Sequence, residues 1–256
     1  MSKPVAFSTP DIQTPDGAAD SYLAHPDDVA AHPGVLLFPD AYGLRPAIRE
    51  IMESIAGEGF TVIAPNLFYR SGRAPVLPMP DHTDPAAHAE FFEKLGPLRA
   101  ALTPEKSLQD VAAYLNYLAA SEFCLPGPSA VVGYCMGGRL ALRTAAAYGR
   151  LIAAAASFHG GRLADPAMSD SPHHTLGDAT AELLVAHASS DGSMPPEQID
   201  LLERTLTTAG VPHTSVVYPN TQHGFTMRDT AAYDEQAYQR HLTDLVALLR
   251  RALPAG

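Results

Sequence analysis

The chain has only two cysteines, Cys124 and Cys135, in 256 residues, which rules out a small secreted scaffold stapled by disulfides. It also lacks basic charge. Its 17 Lys and Arg face 28 Asp and Glu for a formal net charge of −11, so its overall field disfavours nucleic acid and anionic membrane partners. No apolar run approaches the length of a membrane span, and the amino-terminal stretch, interrupted by Pro4 and Pro10, carries no signal-peptide core. G-x-G-x-x-G, P-loop and zinc-protease helix motifs are absent too. His173 and His174, with Asp170 and Asp178, sit in a polar stretch that reads as a loop, so neither a metal nor an organic cofactor is expected. The remaining composition, 46% hydrophobic and 18% charged, is that of a soluble globular protein. The expectation is a single domain over residues 1–256 in a reducing, cytoplasmic compartment, acting as a monomer or homodimer.

Hydrophobic patterning gives the architecture. Residues 12–23 are broken by Pro15-Asp16-Gly17, a tight-turn signal that predicts an amino-terminal hairpin. Short, nearly continuous apolar runs follow at 34–38, 60–64, 130–132, 152–158, 183–186 and 215–218, as suits strands buried on both faces. Helical patterns lie between or after them at 46–56, 104–120, 138–148, 196–209 and 231–253. The alternation predicts an α/β fold, a mostly parallel central sheet with helices on both faces and reactive loops at the carboxyl ends of the strands. The Pro-rich stretch from Arg73 through Pro85 and residues 86–99 form either a substrate-facing cap or a plain surface insertion.

Chemistry concentrates at three strand ends. Gly133-Tyr134-Cys135-Met136-Gly137-Gly138 couples an apolar strand to a helix through a turn with a cysteine at its apex, the shape of a nucleophile elbow. The helix N-terminus behind it favours negative charge on the sulfur. Asp191 follows the strand at 183–186, and His223-Gly224 follows the next strand. A histidine can take the thiol proton, and an acid behind it can fix the tautomer and steady the imidazolium. The chain order Cys, Asp, His is that of the α/β-hydrolase triad.

These motifs, with Phe38-Pro39-Asp40-Ala41-Tyr42-Gly43 and Ala64-Pro65-Asn66-Leu67-Phe68, resemble those of the dienelactone hydrolase family over most of the chain. The resemblance implies an α/β-hydrolase fold and hydrolysis of small carboxylic esters or lactones through a Cys135 acyl-enzyme. It also implies an oxyanion hole from the Met136 and Ala41 N–H groups. Asp40 stands where the family has a glutamate that contacts the thiol and takes part in switching it to thiolate; the alternative is an Asp that caps the following turn. Tyr42, Tyr134, His159, Phe225 and Arg228 are read as substrate-facing. Dienelactone-specific relatives carry a carboxylate-binding arginine four positions after the histidine. Here that position is Met227, which favours neutral or weakly charged substrates, with Arg45, Arg70, Arg73 and Arg99 as the available replacements. The alternative functions are a non-hydrolytic binding protein on the same fold and an acyltransferase using the same residues.

Overall fold

A computed structural model describes residues 3–253. The strands are β1 (Val5–Ser8), β2 (Asp11–Thr14), β3 (Gly17–Pro26), β4 (Gly34–Phe38), β5 (Thr61–Pro65), β6 (Ser129–Tyr134), β7 (Ile152–Phe158), β8 (Glu182–Ser190) and β9 (His213–Gln222). The helices are α1 (Pro46–Gly57), α2 (Pro85–Ala101), α3 (Pro104–Ala120), α4 (Met136–Tyr148), α5 (Pro196–Ala209) and α6 (Glu235–Ala252). The sheet runs β1-β3-β5-β4-β6-β7-β8-β9, with β2 paired to β3. The pairings from β5 to β9 are parallel, whereas β1, β2 and β5 all pair antiparallel with β3. The hairpin expected at Pro15-Asp16 is β2–β3, closed by the pair Thr14 and Gly17. β1 adds an edge strand between Pro4 and Pro10, which bound it rather than disrupt it.

Side-chain alternation builds two core layers. In β4, Leu36 faces one cluster with α3, α4 and α5, while Val35 and Leu37 face the other with α1 and α6. Val131 and Val132 divide in the same way in β6. A strand buried on both faces has no polar side to show, which is why the central runs read as continuous apolar segments.

Two helix boundaries differ from the sequence pattern. α6 begins at Glu235 because Asp234 caps it, accepting the Ala237 N–H at 2.8 Å, so residues 231–234 join the preceding turns. α4 begins at Met136, immediately after the elbow cysteine. The excursion at 73–99 contains most of α2, which buries only Phe91 and Leu95 on a small apolar cluster with Ala41 and Phe68. The chain leaves β4 to one side for β5 and returns on its other side as β6, so the loops after β4 and β6 diverge at a topological switch point.

Candidate active site

β6 ends at Tyr134 and α4 starts at Met136, leaving Cys135 alone to make the turn at φ 54°. A non-glycine residue in that region is strained and persists only where the surroundings impose it. Glycines make the close approach possible. A Cβ on Gly133 would lie 2.0 Å from the Gly137 carbonyl oxygen, and one on Gly137 would lie 2.3 Å from the Phe38 carbonyl oxygen. Gly137 therefore lets the elbow rest against the end of β4, where the loop with Asp40 and Ala41 begins. Gly137→Ala is expected to push backbone from backbone and cost on the order of 3–5 kcal/mol, read as a fall in the urea midpoint; an unchanged midpoint would contradict this packing.

Behind the elbow, the Asp191 side chain is only 2% exposed, and its Oδ2 lies 2.7 Å from His223 Nδ1. Its Oδ1 accepts both the Ser193 N–H at 2.8 Å and the Ser193 hydroxyl at 2.6 Å, so the carboxylate is fixed from two sides. Burial alone would raise its pKa, yet the hydrogen bonds and charge of His223 and Ser193 hold it below the ordinary carboxylate value. His223 meets the opposite balance. Burial is the largest effect and works against its charge, but the hydrogen bond to Asp191, with the influence of Cys135 and the Asp191 carboxylate, pushes its pKa up to about 10. The imidazolium is thus favoured at neutral pH, with the Asp191 carboxylate on its Nδ1 side.

Cys135, His223 and Asp191 open on a cleft of about 910 Å³ that Ala41, Met136 and Tyr42 also line. Among the described residues, neither the Ala41 nor the Met136 N–H donates to a protein acceptor, so both are available at the cleft. The Tyr42 hydroxyl meets His88 Nε2 at 3.1 Å, joining this loop to α2, and burial, with the charges of Asp40 and Cys135, pushes the phenol up to about 12. His82, His88 and Phe92 make one wall, so the 73–99 excursion faces the cleft.

Asp40 is buried, and both its oxygens are taken by Arg45, at 2.7 and 3.0 Å. Its Oδ1 also accepts the Tyr42 N–H at 3.0 Å, the turn-capping contact. Burial drives its carboxyl pKa up while Arg45 pulls it back. Arg45 continues to Asp229, at 2.6 Å, and so ties the loop after β4 to the loop carrying His223. Asp40→Asn is expected to lower the protein's urea midpoint by loosening a buried ion pair and to move the pH midpoint of Cys135 alkylation downward by removing a negative charge nearby. An unchanged alkylation profile would leave Asp40 as a turn cap only.

The other residues expected to face substrate divide. His159 lies on the cleft, fully buried, with Nε2 2.7 Å from Thr226 Oγ1 and its ring edge-on to His223 at 5.3 Å. Burial, then the neighbouring His223, hold it well below the usual histidine pKa and therefore neutral. Tyr134 and Phe225 are not on the cleft: Tyr134 is buried against His241, and Phe225 stacks on Tyr218. Arg228 is also elsewhere, exposed and facing Glu50, Glu235 and the rings of Tyr233 and Tyr238. Of the four replacement arginines, Arg45, Arg70 and Arg73 are committed to carboxylates, and only Arg99 lines the cleft. The sequence reading passed over Ser193, though Asp191-Gly192-Ser193 is a recognisable Asx-turn pattern. It also passed over Arg139 and Arg162, which both line the cleft.

A mostly parallel sheet of this order, with a glycine-walled elbow after β6 and an acid and a histidine after β8 and β9, is an α/β-hydrolase fold. A sequence profile of the dienelactone hydrolase family matches residues 19–253, and the chain belongs to that family. It is 28% identical over 245 residues to a protein of Salmonella typhi provisionally named carboxymethylenebutenolidase, covering 88% of this chain and 84% of that one. It is 25% identical over 222 residues to carboxymethylenebutenolidase of Rhodococcus opacus, covering 87% and 81%. A provisionally named dienelactone hydrolase structure from Klebsiella pneumoniae superposes with a TM-score of 0.83 at 22% identity, covering 97% of this chain and all of that one, and shares its fold.

Proposed function

We propose that this chain hydrolyses small carboxylic esters or lactones through a thioester on Cys135, with His223 and Asp191 completing a triad. The observation that carries the reading is the contact of Asp191 Oδ2 with His223 Nδ1, at 2.7 Å, on the same cleft that Cys135 lines. In the first step Sγ bonds to the carbonyl carbon, and the N–H groups of Met136 and Ala41 receive the oxyanion. The C–O bond to the leaving alcohol then breaks, and His223 gives that oxygen its proton. Water next attacks the thioester, His223 takes the water proton, and the C–S bond breaks to free the acid. Thiolate leaves readily. An amide adduct would therefore tend to expel sulfur rather than amine, and esters and lactones are favoured over peptides.

Dienelactone-type activity in particular is supported by the relatives named carboxymethylenebutenolidase. Two free thiols and the acidic balance fit a cytoplasmic protein acting alone or as a homodimer on a small molecule, and no helix among the described residues is long and apolar enough to cross a membrane. The test is a screen of lactones and short acyl esters with Cys135→Ala and Cys135→Ser as controls. Cys135-dependent turnover is expected on several of them. Product partitioning to added alcohol would instead mark a transferase, and binding without turnover a non-hydrolytic protein.

A further inference from the structure

From the cleft a second cavity of about 400 Å³ opens between the end of α2, the first turns of α4 and the loop around Asp170, sharing Arg99, Met136 and Arg139 with the first. Its charge is unusual for so acidic a chain. Arg139 and Arg143 stand one turn apart on α4, their side chains only 14% and 12% exposed. Like charges at this spacing repel, and guanidinium groups withdrawn from water need partners. The partner present is Asp170, itself 42% exposed, which meets Arg143 at 2.6 Å but Arg139 only at 3.7 Å. The Asp170 carbonyl also accepts from Arg143. Arg139 Nε is buried without any hydrogen-bond partner. Burial first, and then repulsion from Arg143, Arg99 and Arg162, lower the Arg139 pKa despite Asp170. Among the described residues, Arg99 and Arg162 have no carboxylate in salt-bridge contact, and Arg162 is held at φ 52° with its N–H on the Ser193 carbonyl. Glu105, exposed on α3, also feels Arg143. Cations thus outnumber acids beside the nucleophile.

We infer that this side cavity is a subsite for a phosphate-type dianion carried on a tail of the substrate, held by Arg139 and Arg143 with Arg99 and Arg162 at its entrance. The inference rests on the esterase reading and names a substrate class for the same site. Arg99, Arg139 and Arg143 line this cavity against the one carboxylate of Asp170, which takes up a single guanidinium, and a tetrahedral dianion offers three oxygens to separate forks where a second carboxylate would leave the surplus charge unmet. The helix sets the reach. Arg139 and Arg143 lie four and eight residues past Cys135, about 6 and 12 Å along the axis, so the anion would sit on the order of five to ten bonds from the reacting carbon. The subsite lies away from Met227, so the neutral character expected at that position does not extend to this end of the cleft.

The test compares 4-nitrophenyl esters of matched length whose acyl chains end in a methyl group or in a phosphonate. The wild-type kcat/KM ratio, phosphonate over methyl, is expected to exceed about 10. Arg139→Gln and Arg143→Gln should each lower that ratio at least about tenfold, through the KM of the phosphonate ester, with partial recovery in Arg143→Lys. A wild-type ratio below one, or a ratio unmoved by both Gln variants, overturns the subsite. Calorimetric titration of Cys135→Ala with the free phosphonate acid reads the subsite without turnover. Binding that is lost when Arg143→Gln is added supports it even if no ester proves to be a substrate, and binding that survives overturns it. Inorganic phosphate binding as tightly as the phosphonate acid would overturn the substrate-tail assignment in favour of a free-phosphate site.

Discussion

Asp191→Asn and His223→Ala are each expected to lower kcat for ester hydrolysis by about 10³- to 10⁴-fold while leaving the fold intact. The Asp191 carboxylate takes the Nδ1 side of His223 at 2.7 Å and is itself pinned by Ser193, so an amide there would present a donor or a weaker acceptor to the ring. The imidazole would then favour the wrong tautomer for proton exchange with sulfur. Because both residues act on one proton, the double variant should lose little more than the worse single variant, and losses that multiplied would show two independent roles. The pair also carries a pH signature. The folded His223 pKa, about 10, lies above the ordinary value near 6.5, so its contribution to stability is complete below about pH 6.5 and is lost as pH rises through about 10. Thermal unfolding of wild type should weaken over that window, and Asp191→Asn should flatten the change.

Cys135→Ala is expected to remove turnover altogether, down to the background hydrolysis of the ester. No other side chain occupies the elbow, and Cys124, the second thiol, is buried beside Gly34 with its pKa pushed up to about 11 by desolvation. Cys135→Ser keeps a nucleophile in place but one that ionises far less readily, so it should fall between wild type and Ala. The same variant tests the electrostatics independently. Without the sulfur, His223 loses a neighbour that favours its charged form, so its imidazole titration, followed by NMR, should move below about 10. A His223 titration unchanged in Cys135→Ala would mean that the sulfur and the ring are not in contact.

The sequence was most readable where one local rule decided the outcome. The apolar runs of β4 and β6 to β8 are buried on both faces, and Pro104 and Pro196 start α3 and α5 where proline is favoured, at the first turn. The placement of Cys135, Asp191 and His223 at one end of the sheet was legible because each follows a strand and the parallel order brings those ends together. Contacts made between distant segments were not legible. Arg45 reaches Asp229 across 184 positions, and its commitment to Asp40 leaves it no charge to offer a substrate. Tyr134 and Phe225 adjoin Cys135 and His223 in sequence but point into the core, because neighbours along a strand or turn face opposite ways. Arg139 is the converse: on a helix its position reads as a surface cation, and only the packing of α2 and the Asp170 loop around α4 withdraws it from water.

The central claim, that Cys135 carries the acyl group, is tested most directly by rapid acid quench of the enzyme with a slow ester, followed by peptide mass spectrometry. The account predicts an acyl mass on the peptide containing Cys135, formed at the rate of the product burst and absent after iodoacetamide has labelled that residue. Steady turnover with the acyl group on another residue, or full activity after complete alkylation of Cys135, would contradict it.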